Sequence, residues 1–226
     1  MASSSTTTLP GPGGHAGPHH GPNGETRRDF LNLVTGSFVG LGVIAVAWAM
    51  VDSMNPSADV IAAGAPMDLD ISKIDAGQQV VVRWRGNPIL IVHRTPEALQ
   101  SLRSPDVLQR LSDPDSTVNQ QPAYADNWHR SVRPEVAVLV GICTHLGCLP
   151  LYKPTPSSSD PVANWPGGYF CPCHGSKYDL AGRVWKDVPA PYNLPVPPYH
   201  FPDQNTLRIG ENPTGVSFEL SEVVQM

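Results

Sequence analysis

The chain of 226 residues carries 15 Lys+Arg against 20 Asp+Glu, a formal net charge of −5, without the basic footprint of a nucleic-acid binder. Only 15% of the residues are charged and 25 are proline, too many for a helix bundle and suited to a loop-rich β domain. Four cysteines are too few for a disulfide-dense scaffold.

Residues 1–25 are Ser/Thr-rich, then Gly/Pro/His-rich, with almost no apolar content. Such a stretch cannot offset its chain entropy by burial and is predicted to be a disordered tail, its His15, His19 and His20 solvated. Residues 26–52 change character abruptly. Arg27 and Arg28 precede the span 30–51, which has no ionisable residue. At about 1.5 Å per residue it makes roughly 33 Å of helix, enough to cross a bilayer core. The string Thr26-Arg27-Arg28-Asp29-Phe30-Leu31 resembles a twin-arginine export signal. Arginines on one flank, with Asp52 and Asp59 beyond the other, predict a cytoplasmic N-terminus and everything after Asp52 outside. A cleaved signal ending at Ala45-Val46-Ala47 is the alternative. The length of the apolar span and the scarcity of polar spacer after it favour an uncleaved anchor. Residues 53–66, small and broken by Pro56, Gly64 and Pro66, read as a linker and hinge.

From Met67 the pattern is strand-like, and 67–226 is predicted to be one head domain. Apolar runs at 80–84 and 89–92 flank the turn chemistry of 85–88, a β-hairpin. Thr95-Pro96-Glu97 starts a short helix, with Thr as N-cap and Pro at the first helical position. A second helical piece is predicted around 107–111, and a buried strand over the continuous apolar run 136–142. Later strands are predicted near 168–170, 183–185, 199–201 and 206–209.

All four cysteines and two of eight histidines lie in two short strings, Cys143-Thr144-His145-Leu146-Gly147-Cys148 and Cys171-Pro172-Cys173-His174-Gly175-Ser176. Thiolate and imidazole are borderline-soft donors, which leaves zinc, iron or an iron–sulfur cluster. Structural zinc favours C-x₂₋₄-C and H-x₃₋₅-H spacings, which the C-x-H and C-x₂-H pairs fit poorly. A four-thiolate 2Fe–2S site of plant type needs a C-x₂-C that is absent. The third arrangement takes one Cys and one His from each string, the mixed ligation of a 2Fe–2S centre with two imidazoles. It leaves one cysteine over in each string, and outside the cytoplasm two spare thiols on adjacent loops oxidise to a disulfide. This arrangement alone accounts for every sulfur. His93 and His129 have no ligand motif beside them.

The stretches 141–148 and 170–178 resemble the two cluster-binding motifs of the Rieske iron–sulfur subunits of cytochrome bc complexes. The similarity extends over roughly 26–215, taking in the twin-arginine segment, Asn55-Pro56-Ser57-Ala58-Asp59 and Trp84-Arg85-Gly86. It implies a mainly β fold: a Rieske-type antiparallel β-sandwich, a small loop-built cluster-binding subdomain at about 138–192, and one N-terminal transmembrane helix. It further implies that Cys143 and Cys171 bind one iron of a single 2Fe–2S cluster and His145 and His174 the other. By the same resemblance Cys148 pairs with Cys173, Ser176 and Tyr178 give hydroxyl hydrogen bonds to cluster and cysteine sulfur, and Leu146 shields the cluster. Two features depart from the family. The 25 residues between His145 and Cys171 include a Pro/Ser-rich excess around 152–165, read as a surface insertion. Val188-Pro189-Ala190-Pro191 matches the family's proline loop with Val where Gly is common.

The resemblance implies the redox subunit of a bacterial quinol–cytochrome c reductase. Such a subunit takes an electron and a proton from ubiquinol at the oxidation site on cytochrome b, with His174 hydrogen-bonded to the quinol. It passes the electron to a c-type cytochrome, contributing to proton translocation. The expected setting is a dimeric multisubunit complex in the inner membrane, spanned once, with the head periplasmic and no nucleic-acid partner. Two other classes fit parts of the pattern: an exported Rieske subunit of another oxidoreductase, such as an arsenite oxidase, and a membrane-anchored zinc-binding interaction module.

Overall fold

The computed structural model describes residues 26–58, 64–157, 160 and 162–224; the tail expected over 1–25 lies outside them, as do linker residues 59–63. The chain divides into an N-terminal unit ending at Pro56 and a head beginning at Ser57.

The N-terminal unit is one helix, α1 (Arg27–Asp52). Thr26 caps it: its Oγ1 accepts the Asp29 N–H at 3.3 Å while Asp29 Oδ2 accepts the Thr26 N–H at 3.1 Å. The residues read as an export motif therefore also start the helix. None of its side chains is buried, with Phe38 72% and Trp48 74% exposed. An apolar helix without protein cover, long enough to cross a membrane, is one that lipid would cover.

Among the described residues the head contains nine strands in three antiparallel sheets of three. The first joins β1 (Met67–Asp70), β9 (Thr206–Ile209) and β8 (Tyr199–His200), with β9 central. The second joins β2 (Gln79–Trp84), β3 (Asn87–His93) and β4 (Val136–Val140), with β3 central. The third joins β5 (Leu151–Lys153), β6 (Gly168–Phe170) and β7 (Lys177–Tyr178). Side chains from all three meet in one core, including Trp84, Ile89–Val92, Val136–Val140, Tyr169, Tyr178, Leu207 and Ile209. β4 is buried along its whole length, which is why it reads as a continuous apolar run. The ligand strings follow directly from β4 and β6, so the most deeply buried strands carry the site.

The β2–β3 hairpin is tighter than 85–88 suggests. Only Arg85 and Gly86 form the loop, both at positive φ (49° and 81°), the two-residue turn whose twist matches the strands. Asn87 and Pro88 already belong to β3. The end of the linker is held here, since Trp84 Nε1 donates to the Ala65 carbonyl at 3.2 Å. Thr95 caps α2 (Pro96–Ser101) as expected, accepting the Ala98 N–H at 3.2 Å. The next helical turn, α3 (Pro105–Leu108), starts and ends earlier than 107–111, because Pro105 occupies its first position and Leu111 pairs with Trp185 instead.

Three further expectations need correction. β4 stops at Val140: the Gly141 N–H still bonds the opposite Pro88 carbonyl at 2.7 Å, but Pro88 has no N–H to return the bond and extend the ladder. Residues 183–185 form only isolated bridges, Tyr178↔Val184 and Leu111↔Trp185, because neighbouring residues pair with opposite partners. The excess around 152–165 is not simply a surface insertion. It begins in β5, and Trp165 is 2% exposed, stacked 5.3 Å from Trp185 and bonded through Nε1 to the Lys153 carbonyl at 2.9 Å.

Candidate metal centre

The two ligand strings fold into loops built alike. In the first, the Cys143 N–H donates to the Cys148 carbonyl (2.8 Å) and the Gly147 N–H to the Cys143 carbonyl (2.9 Å). In the second, the Cys171 N–H donates to the Ser176 carbonyl (2.8 Å) and the Gly175 N–H to the Cys171 carbonyl (3.0 Å). Gly147 and Gly175 take the same left-handed conformation, φ 82° and 81°, which a side chain would strain. The shared Cys-x-x-x-Gly frame places a cysteine at the foot of each loop. The histidine comes third in one loop and fourth in the other.

The geometry separates the four sulfurs into two kinds. Cys148 and Cys173 are joined in a disulfide that ties the loops together, with Cα atoms 6.7 Å apart. Cys143 and Cys171 are free thiols, each 2% exposed. Burial pushes the Cys171 thiol up, and the neighbouring Cys143 thiol adds to this. The Cys171 sulfur lies within 4.8 Å of both disulfide sulfurs, but those two are bonded to each other and offer no thiolate to a metal. The rings of His145 and His174 meet edge to face, 4.7 Å between centroids. His174 is exposed and His145 half-buried. Two buried thiols and two adjacent imidazoles, carried on the two tied loops, form a donor set whose chemistry fits a 2Fe–2S cluster of mixed ligation. A four-coordinate zinc could use the same two thiolates and two imidazoles, so donor type alone does not choose between the metals.

The surrounding hydroxyls are placed by the same loops. Tyr178, paired with Tyr169 across β6–β7, brings its hydroxyl 3.2 Å from the Cys143 sulfur. Burial pushes the Tyr178 pKa far up, so the phenol keeps its proton. Ser176 is fully buried, and its Oγ accepts the Ala190 N–H at 3.0 Å, leaving its own proton for another acceptor. That bond fastens the second loop to the proline loop. Thr144, which sequence reasoning passed over, fastens the first: its Oγ1 donates to the Tyr192 carbonyl at 2.7 Å, and its N–H to the Tyr178 hydroxyl at 3.2 Å. Its place between Cys143 and His145 was the available signal. Val188 fits the proline loop because the preceding residue, Asp187, takes the positive φ (55°). Leu146 is 70% exposed at the loop tip, beside Leu149 at 48%. His93 and His129 lie outside the two loops; His93 Nδ1 is 2.8 Å from the Ile74 carbonyl and His129 Nδ1 is 2.8 Å from Ser131 Oγ.

Residues 110–199, which include both loops, match the family profile described as Rieske [2Fe-2S] domain. Residues 17–57 match one described as Ubiquitinol-cytochrome C reductase Fe-S subunit TAT signal. The chain is 49% identical over 175 residues to the ubiquinol-cytochrome c reductase iron-sulfur subunit of Allochromatium vinosum, covering 76% of this chain and 84% of that one. The chain belongs to this family of Rieske iron–sulfur subunits. It is also 47% identical over 185 residues to the subunit of Blastochloris viridis, covering 82% of this chain and 93% of that one. For Bradyrhizobium diazoefficiens the identity is 43% over 185 residues, covering 82% and 94%. The Rieske match selects the 2Fe–2S cluster among the three chemistries that the spacing left in competition.

Proposed function

We propose that the chain accepts one electron and one proton from ubiquinol at a site completed by cytochrome b, and passes the electron to a c-type cytochrome. The ligands in this reading are Cys143 and Cys171 on one iron and His145 and His174 on the other. A 2Fe–2S cluster with two imidazole ligands supplies one-electron chemistry at about −150 to +300 mV, against about −400 mV for plant-type ferredoxins.

The observation that carries the reading is the contrast between the buried thiols and the exposed His174. One side of the site is closed to water by the loops, and the other presents an imidazole edge among apolar side chains. His174 can therefore hydrogen-bond a quinol hydroxyl and take its proton, while Leu146 and Leu149 exclude water from the contact. Ser176 and Tyr178 direct hydroxyl protons at the sulfur side, favouring the form with more negative charge. Arg27 and Arg28 at the head of α1 support a cytoplasmic N-terminus, a periplasmic head and a single-pass anchor in the inner membrane. In this reading residues 53–66 are the hinge on which the head moves between donor and acceptor, within a dimeric complex.

The test is redox titration of the membrane-bound chain across pH, with purification of its complex. A potential that falls with rising pH, with cytochromes b and c co-purifying, is expected. A potential flat up to strongly alkaline pH rejects histidine ligation. Association with an unrelated oxidoreductase in place of the cytochromes rejects the quinol reaction.

A further inference from the structure

Three arginines are buried in the head, Arg94 (2% exposed), Arg130 (0%) and Arg183 (1%), whereas Asp179 (1%) is the sole buried carboxylate among the described residues. The Arg183–Asp179 pair, at 2.7 Å, uses that carboxylate. The other two guanidiniums are thus not held by ion pairing, and burying them without a partner charge is costly. Both are aimed at consecutive carbonyls of one turn, 179–183. Arg94 Nε donates to the Leu180 carbonyl at 3.2 Å, and Arg130 Nη1 to the Ala181 carbonyl at 3.0 Å. Neither carbonyl accepts a backbone N–H among the described residues.

Arg130 is the more constrained of the two. Gln121 Oε1 accepts from its Nε (3.2 Å) and Nη2 (2.9 Å), fixing the plane of the fork. Its backbone stands at φ 50°, in the left-handed region that strains a non-glycine residue. Burial pushes its pKa down to about 9, still above neutral pH, so it remains a cation.

The turn it holds closes the arm that carries Tyr178. The Asp179 N–H bonds the Arg183 carbonyl at 2.9 Å, and Tyr178 bridges Val184. A shift of the turn is therefore a shift of the phenol. We propose that Arg130 is a positioning residue for the redox site: by fixing the Ala181 carbonyl it locks turn 179–183 and so holds the Tyr178 hydroxyl against the Cys143 sulfur. The inference rests on the reading of Tyr178 as a donor to a ligand sulfur.

The test is the reduction potential of the cluster-loaded full chain in membranes, followed by EPR, for R130K, R130M, Y178F and the two double variants. Lysine keeps the charge and loses the fork. R130K and R130M are both expected to lower the potential, and neither is expected to lower it further once Tyr178→Phe is present. A wild-type potential in R130K with a lowered one in R130M overturns positioning in favour of charge. So does a shift that adds to that of Tyr178→Phe. An unchanged potential in Y178F alone instead removes the role of Tyr178, which separates that failure from this one. Should the Arg130 variants not accumulate, Arg94→Lys, at the adjacent Leu180 carbonyl, is measured the same way. Failure of all of them to yield a folded head overturns the proposal, making these arginines determinants of folding rather than of position.

Discussion

The Tyr178 hydroxyl stands 3.2 Å from the Cys143 sulfur, and its one proton has two acceptors within reach. The Thr144 N–H donates to the phenolic oxygen, and Thr144 Oγ1 spends its own proton on the Tyr192 carbonyl. Thr144 Oγ1, 3.3 Å from the phenol, can therefore only accept there, at a slightly longer distance than the sulfur. In the proposed ligation the Cys143 sulfur has no proton of its own, so the phenol is the donor and the thiolate the acceptor.

A donor at a ligand sulfur stabilises the more negative, reduced state. Tyr178→Phe is therefore expected to lower the reduction potential by about 40 mV, the equivalent of about 1 kcal/mol for one electron. The ring stays in the core, so the cluster should be retained. EPR-monitored redox titration checks this, and a potential within error of wild type would remove the hydrogen bond from the account.

Ser176→Ala acts at two places. In the proposed reading it removes a hydroxyl proton from the sulfur side of the site, and it leaves the buried Ala190 N–H without its acceptor. The second effect costs about 1–3 kcal/mol. The potential and the quinol oxidation rate should both fall, and hydrogen exchange at the Ala190 amide should quicken. Faster exchange with an unchanged potential would restrict Ser176 to holding the proline loop.

The sequence is legible where one residue type has one use. The run that became β4 is apolar throughout because both faces are buried, and the strings around Cys143 and Cys171 announce their chemistry by donor type. It is silent where a role depends on what lies opposite. β5 and β7 are two or three residues long and exist because Tyr152 and Tyr178 pair with Tyr169 between them. Arg94 and Arg130 carry no local signal, since nothing beside them reveals the carbonyls of a turn 51 or more residues away. Val188, which departs from the family's glycine, is tolerated because Asp187 supplies the left-handed residue. The two donor strings are thus easier to read than the scaffold that holds them.

His129 gives the head a pH dependence of its own. It is 8% exposed, with Nδ1 2.8 Å from Ser131 Oγ. Burial holds its pKa below the ordinary 6.5, the Arg94 guanidinium lowers it further, and Glu135 partly opposes them. As pH falls through about 6.5, the unfolded imidazole takes up a proton before the folded one does. The unfolded state then binds more protons, so stability is lost on going acid and is fully present above that window. The thermal midpoint of the detergent-solubilised chain should fall between pH 7 and 5, by about 2–4 °C for each kcal/mol. His129→Gln should flatten part of that slope. An identical slope in the variant would assign it to other groups.

The disulfide offers the sharpest contrast between two neighbouring substitutions. Replacing Cys148 and Cys173 together by Ser reopens a loop of 25 residues in the unfolded chain, a loss of about 3.5 kcal/mol in the entropy model. That corresponds to a midpoint about 10 °C lower. It also frees the loops to part, so the EPR signal should decay faster under a chelator. Cys148→Ser alone is expected to be worse, although it removes fewer groups. It leaves the Cys173 thiol within 4.8 Å of the Cys171 sulfur, so that an oxidant such as dioxygen or a small-molecule disulfide, taking two electrons and two protons, could join them and withdraw Cys171 from the metal site. Cluster content should therefore rank wild type above the double variant, and the double variant above the single. A single variant that holds its cluster as well as the double would show that Cys171 is shielded from its neighbour.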